Sequence, residues 1–328
     1  MRTPAFWYAE AGALAHVLSP LGALYGTATA TRMSRCGALL PAPTITVGNF
    51  VAGGAGKTPV ALALGRILQE AGLAPAFVSR GYGGDAALAG ALRVDRQSAA
   101  EVGDEPLLLA RVAPTFVGAD RLASARLAVA QAKPGALVLD DGLQSRAVEP
   151  DLALAVVDGA SGIGNGYCLP AGPLRAPLDR QFAHVQAVVV LGAGAPGERV
   201  AERARRAGIP VFAAQVAPEP EALALTGRRV VVFAGIARPE KFFATLEGVG
   251  ATIVARRGFA DHHFFGAGEI DALRALAASE NAALVTTEKD HVRLPEDMRA
   301  GVTPVAIRVV FEAGFREFAL ARIAARAG

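Results

Sequence analysis

The stretch from Gly48 to Pro59, GNFVAGGAGKTP, constrains this chain more than any other part of it. It sits between a β-rich run, Thr44–Val47, and a segment with Val60, Leu64, Ile67, Leu68 and Ala71 at helical spacing, which ends near Gly72. Strand, glycine-rich loop and helix in that order form a phosphate-binding loop, because glycines let backbone N–H groups converge on phosphate oxygens without a Cβ in the way. Gly53, Gly54, Ala55 and Gly56 would form the cradle, Lys57 would reach the β- and γ-phosphates, and Thr58 would offer its hydroxyl to Mg²⁺. The usual spacing GxxxxGKT asks for glycine at position 51, where this chain has Val51; its first glycine is Gly48. The loop is therefore a variant form. A glycine turn that merely opens a helix is the bland alternative, and the strand and helix around the loop count against it.

Beyond this loop, short β-rich runs alternate with helical patterns, as in a mostly parallel sheet with crossover helices. The expected strands are Thr44–Val47, Ala76–Ser79, Ala136–Asp140, Leu152–Val157, Ala187–Leu191 and Val211–Ala213. The segment Ala217 to Arg228 lacks a clear period and marks a boundary. A second α/β pattern follows, with strands Val230–Ala234, Thr252–Ala255 and Ala283–Thr286 and helices starting at Pro239 and Gly268. The expected fold class is α/β: a P-loop NTPase core at 37–225, a smaller C-terminal α/β domain at 226–328 and an apolar helical arm at 1–36.

The chain's 328 residues are 52% hydrophobic and 19% charged, with mean hydropathy +0.35, which excludes disorder and makes contact with lipid worth testing. A net charge of +3 without a concentrated basic stripe excludes nucleic acid as a partner. Cys36 and Cys168 alone form neither a disulfide framework nor a metal-type spacing, which fits a reducing cytosol. The one long apolar stretch, Pro4 to Ala30, is interrupted by Glu10, His16 and Pro20, so it is neither a signal peptide nor a spanning helix. Two readings stay open. Trp7, Tyr8 and Tyr25 suit a headgroup layer, with Arg32 and Arg35 meeting anionic lipid, or the arm is a helical hairpin packed on the body.

Further motifs carry chemistry. Ala136–Leu139 ends in Asp140-Asp141-Gly142-Leu143-Gln144, an apolar strand delivering carboxylates to the sheet edge where ligands of open α/β folds sit; a turn with a helix cap is the alternative. One Asp would hold Mg²⁺, a hard cation that takes few carboxylates and keeps several waters. Ser79-Arg80-Gly81-Tyr82-Gly83-Gly84 could bring Arg80 near phosphate, and Val102-Gly103-Asp104-Glu105-Pro106 opens a helix with Asp104 or Glu105 as base, metal ligand or cap. Asp261-His262-His263-Phe264-Phe265 sets a carboxylate beside two imidazoles; neighbouring residues in extended chain face opposite ways, which argues against a shared metal and leaves a plain buried or surface histidine as the default. Leu169-Pro170-Ala171-Gly172-Pro173-Leu174-Arg175 is a rigid turn without assigned chemistry.

Taken in order, GNFVAGGAGKTP, SRGYGG, VGDEP, DDGLQ, LPAGPLR, FAGIARPEKFF, ADHHFF and TTEKDHVRL, with an N-terminal FWY, closely resemble the tetraacyldisaccharide 4'-kinase family of lipid A biosynthesis. The resemblance implies transfer of the ATP γ-phosphate to the 4'-hydroxyl of a tetraacyldisaccharide 1-phosphate, giving lipid IVA. It also implies a peripheral protein on the cytoplasmic face of the bacterial inner membrane, with a lipid substrate, the membrane surface as partner and no obligate protein partner. By motif position, Lys57 and Thr58 would bind triphosphate and Mg²⁺, and Asp140 and Asp141 would form the acidic metal site. Asp104 and His262 would be the catalytic dyad, with Glu105 and Gln144 lining the nucleotide site. One departure stands out: an acidic residue is expected after LPAGPLR, where this chain has Ala176, so that Arg175 or Asp179 would have to compensate. The competing class is a P-loop ATPase acting as a membrane-associated switch or carrier. Such switches generally carry a lysine early in the loop, where Val51 and Ala52 stand here.

Overall fold

The computed structural model describes residues 4–82, 84–85 and 90–327; Gly83 of the SRGYGG motif and Arg2 of the arm lie outside them. After a 3₁₀ turn at Ala5–Tyr8, the chain runs through α1 (Ala13–Met33), β1 (Thr44–Asn49), α2 (Lys57–Glu70), β2 (Pro75–Ser79) and β3 (Leu92–Arg93). Next come α3 (Ala99–Val102), α4 (Asp104–Ala110), β4 (Thr115–Val117), α5 (Arg121–Ala132), β5 (Ala136–Asp140) and β6 (Leu152–Asp158). They are followed by α6 (Leu178–Phe182), β7 (Ala187–Leu191), α7 (Ala195–Arg206) and β8 (Val211–Pro218). The remainder comprises β9 (Arg229–Ala234), α8 (Pro239–Gly248), β10 (Thr252–Gly258), α9 (Ala267–Ser279), β11 (Ala283–Thr287), α10 (Glu288–Arg293), β12 (Val302–Val305), β13 (Ile307–Phe311) and α11 (Phe315–Ala327).

Among the described residues, these strands form a nine-stranded sheet in the order β13-β8-β7-β6-β1-β5-β2-β4-β3 and a four-stranded sheet in the order β10-β9-β11-β12. The large sheet is parallel except at its edges, where β13 runs antiparallel to β8 and β3 antiparallel to β4. Its central strands β1, β5 and β6 are buried along their whole length, as strands covered by helices on both faces must be. On one face α2 packs Val60, Leu64 and Leu68 against Ile45, Val138 and Leu154; on the other, Ala153, Ala155 and Val157 meet α7 residues Val200 and Ala204. The order reverses at β1, so the phosphate loop, leaving the carboxyl end of β1 between β5 and β6, lies where open α/β sheets bind ligands.

The α/β expectation holds, and the structure corrects it at the C-terminus. The second α/β pattern does not run to the end of the chain: β13 joins the large sheet, and α11 returns Phe315, Ala319 and Ile323 to the first core. The small sheet is thus inserted between β8 and β13, two neighbouring strands of the large one.

The arm is not a hairpin. Helix α1 continues through Pro20, and the carbonyl of His16, which proline cannot serve, instead accepts a 2.8 Å bond from the Ser19 hydroxyl. Gly22 and Gly26 let α1 lie directly on the 168–177 loop: a Cβ at Gly22 would stand 2.7 Å from the Cys168 carbonyl, and one at Gly26 2.7 Å from its sulfur.

Candidate active site

The phosphate loop is fixed from behind by segments distant in sequence. Ala52 N donates to Pro173 O at 2.7 Å, Arg175 N donates to Phe50 O at 2.9 Å, and Val51 bridges Leu174 in antiparallel fashion. Val51 is therefore extended and buried, so glycine is not needed there. Gly48 is needed for a different reason: a Cβ on it would stand 2.4 Å from the Leu143 Cβ. The displaced glycine reflects packing of the DDGLQ turn onto β1. The Asn49 side chain spans the loop to Gly53 O at 3.2 Å. Gly53 and Gly56 have φ of +109° and +83°, whereas a Cβ at Gly54 would meet nothing within 4 Å, leaving that backbone open to an approaching group.

The two aspartates that end β5 do different things. Asp140 is buried and accepts a 2.9 Å bond from the Thr58 hydroxyl on Oδ2, while its Oδ1 has no hydrogen-bond partner. Burial, with the Glu105 carboxylate next in weight, pushes its carboxyl up to about 7 against the pull of Lys57. Asp141, turned by its φ of +56°, accepts from Arg175 Nη1 at 2.8 Å and Nη2 at 3.2 Å, and Lys57 Nζ stands 3.7 Å away. Burial would raise Asp141, but Lys57 and Arg175 outweigh it and hold the carboxyl at about 2. Arg121, at the start of α5, donates to the Asp141 carbonyl at 2.5 Å. Burial holds Arg121 below the usual arginine range; Asp141 opposes this, and nearby Arg80 and Arg175 add to it. Four cations thus gather around the end of β5.

Gln144 is occupied within the protein. It donates to Asn49 O at 2.7 Å and Gln181 Oε1 at 3.0 Å, and accepts from Arg175 Nη1 at 3.0 Å. Ala176 is fully buried, and its carbonyl accepts from Gln181 at 2.7 Å. Asp179 is exposed and paired with Arg203, away from the site, whereas Arg175 is in it.

From the other side comes Asp104, the first residue of α4. His262 Nδ1 lies 3.1 Å from its Oδ2; since a carboxylate only accepts, Nδ1 is the donor of this contact, which fixes Nε2 as the ring nitrogen that carries the lone pair in the neutral tautomer. His262 has a φ of +58°, and its backbone N–H donates to Gly235 O at 3.0 Å. Asp104 is 4% exposed, and burial alone would raise it, yet the His262 bond and the charges of Lys289 and Arg293 hold it well below the usual carboxylate range. Glu105 faces Lys289 at 3.4 Å and bears on Asp140, which links the dyad to the loop. His263 turns the opposite way: it bonds Glu269 at 3.0 Å and stacks on Phe259. The two histidines therefore share no ligand.

The family model described as tetraacyldisaccharide-1-P 4'-kinase matches residues 14–324. The chain belongs to that family. Among relatives named tetraacyldisaccharide 4'-kinase, the protein of Methylorubrum extorquens (strain PA1) is 54% identical over 314 residues, covering 95% of each chain. That of Paramagnetospirillum magneticum (strain ATCC 700264 / AMB-1) is 48% identical over 316 residues, again covering 95% of each. A crystal structure of LpxK from Aquifex aeolicus in complex with ATP superposes with a TM-score of 0.73 at 24% identity, covering 95% of this chain and 99% of that one, and shares the fold.

Within this 4'-kinase family member, the sequence-predicted residues Lys57, Thr58, Asp140 and Asp141 meet at one sheet edge, and Asp104 meets His262 across the two sheets. Residues that the sequence did not single out, Arg121, Lys289 and Arg293, stand among them. Their only signal was position: one follows the Asp120 helix cap and two lie in TTEKDHVRL.

Proposed function

We propose that this chain transfers the γ-phosphate of ATP to the 4'-hydroxyl of a tetraacyldisaccharide 1-phosphate, forming lipid IVA. The observation that carries this reading is the Asp104-His262 pair, whose neighbour Glu105 bears on Asp140 beside the phosphate loop, because a nucleotide switch has no use for a base that removes a proton from an alcohol.

Gly53–Gly56 would cradle the triphosphate, with Lys57 reaching the β- and γ-phosphates. Asp141 pairs with both Lys57 and Arg175 and so keeps the two cations beside the loop. The donors suit Mg²⁺: the unpartnered Asp140 Oδ1 beside the Thr58 hydroxyl supplies one carboxylate and one hydroxyl, the small protein share this cation takes. When bound, the ion would neutralise charge on the phosphate oxygens. Asp141, spent on cations, supports rather than ligates. On the acceptor side, His262 Nε2 takes the hydroxyl proton as the loose phosphoryl transition state forms, and Asp104 fixes the tautomer and stabilises the imidazolium. Glu105 lines the space between dyad and loop, and Gln144 braces Arg175.

The acceptor is a lipid, and the arm suits one. Helix α1 buries Ala15, Gly22, Gly26, Thr29 and Met33 and exposes Leu14, Val17, Leu21 and Leu24, a row at helical spacing with Tyr25 beside it and Arg32 and Arg35 beyond. Among the described residues, no helix is long and apolar enough to cross a membrane. A peripheral place on the cytoplasmic face of the inner membrane follows from this reading.

The test is to incubate the protein with ATP, Mg²⁺ and the detergent-solubilised disaccharide 1-phosphate and weigh the lipid. A gain of one phosphate is expected. ATP hydrolysis with the lipid unchanged would instead favour the switch.

A further inference from the structure

We infer that Arg293 is a positioning residue for the dyad, holding Asp104 directly and His262 through the Gly235 carbonyl. Its side chain is 1% exposed, at the end of α10, in the segment whose chemistry the proposed mechanism leaves unused. Three sets of contacts define its role. Nε donates to Asp104 Oδ2 at 2.6 Å, with Nη2 against the same oxygen. Nη1 donates to Gly235 O at 2.7 Å, the carbonyl that also accepts from the His262 backbone N–H. Nη1 also meets Asp290 Oδ1 at 2.8 Å. Asp290 is itself held: its Oδ2 accepts from the Thr287 hydroxyl at 2.6 Å and from Gly235 N at 3.1 Å.

One planar guanidinium therefore sets the carboxylate of Asp104, which comes from the large-sheet body, against the backbone that carries His262, which comes from the small-sheet body. Burying a charge among two carboxylates is costly and is weak evidence for a role in stability alone. Lysine carries the charge but lacks the fork, and cannot reach Asp104, Asp290 and the Gly235 carbonyl together. The inference rests on the kinase reading for its kinetic arm only.

The other charged groups that face the dyad are Lys289 and Glu105 from α10 and α4, Asp261 from the loop of His262, and Asp290. Removing the Arg293 charge makes it easier for the dyad to hold a proton, so turnover should fail at a higher pH than in the wild type. A residue that only supports the fold would lower turnover evenly across pH.

The experiment compares Arg293→Lys and Arg293→Gln with wild type by steady-state kinetics against pH and by ¹⁵N imidazole NMR of the nucleotide-free protein, with His262→Ala locating the His262 signal. Arg293→Lys should lose about tenfold or more in kcat with the KM for ATP within about twofold. Arg293→Gln should move the acid limb of kcat to higher pH, and in both variants the Nδ1–H signal of His262 should weaken or vanish. An unmoved acid limb together with an unchanged His262 signal would overturn the inference, whatever happens to kcat. If wild-type protein phosphorylates no lipid, the kinase reading fails while the NMR arm still decides the clamp. Should the glutamine variant fail to fold, the lysine variant, which keeps the charge, decides by kcat and the His262 signal.

Discussion

Nδ1 of His262 lies 3.1 Å from Oδ2 of Asp104, although Asp104 opens α4 in the large-sheet body and His262 sits in a loop of the small-sheet body, in opposite halves of the chain. The geometry of this pair thus depends on how the inserted small-sheet body sits against the large one. Arg111 with Glu288, at 2.6 Å, and Asp158 with Arg238, at 3.0 Å, also join the two bodies.

If His262 takes the acceptor proton, His262→Ala removes the base and leaves the phosphate loop intact. Turnover should fall by about two to four orders of magnitude, with little change in the KM for ATP. Steady-state kinetics with both substrates varied checks this; an unchanged kcat removes His262 from the mechanism.

Asp104 is held below its ordinary value by partners that exist only in the folded protein, so it stabilises the fold above pH ~4 and ceases to do so as pH falls toward the folded value. Asp104→Asn should cost roughly 2–4 kcal/mol at pH 7, since it leaves the buried Arg293 with only one of its two carboxylate partners. The gap from wild type should narrow as pH falls below about 4. Denaturant unfolding at several pH values reads both effects; a gap that widens in acid would mean the sign is wrong.

Gly48→Ala places a methyl group against Leu143 in a region with no slack. A loss of about 1–3 kcal/mol is expected, along with weaker nucleotide binding as β1 and the DDGLQ turn part. Thermal melts and titration with an ATP analogue measure the two; a fully stable variant would show that packing is not what moved the glycine.

Replacing Leu14, Val17, Leu21 and Leu24 by glutamine alters the exposed row of α1 and spares the buried face. Vesicle sedimentation should drop markedly while turnover of a short-chain acceptor stays within about twofold, since the row lies outside the phosphate site. Equal loss of both would make the row part of the catalytic body.

Much of this was legible in the residues. Strands such as β5 and β7 read clearly because burial on both faces leaves an unbroken apolar run, and the phosphate loop carried its own strand and helix. The short β4 and the edge strand β13 did not stand out: three residues give no period, and nothing local in Ile307–Phe311 says which sheet it will join. The arm's sequence left two readings open because α1 carries apolar residues on both sides: mostly small ones face the body, while Leu14, Val17, Leu21 and Leu24 face out. The buried arginines were hidden by composition, since with only Lys57, Lys133, Lys241 and Lys289 as lysines nearly every cation is an arginine, and nothing marks Arg121 or Arg293 as the ones inside.

In the proposed reaction, phosphate passes to one particular hydroxyl. The direct measurement is ³¹P–¹H correlation NMR of the lipid recovered after reaction with ATP. The new phosphorus should couple to the proton on carbon 4' while the phosphate at carbon 1 remains. A new phosphate on any other carbon, or inorganic phosphate beside an unaltered acceptor, would contradict it.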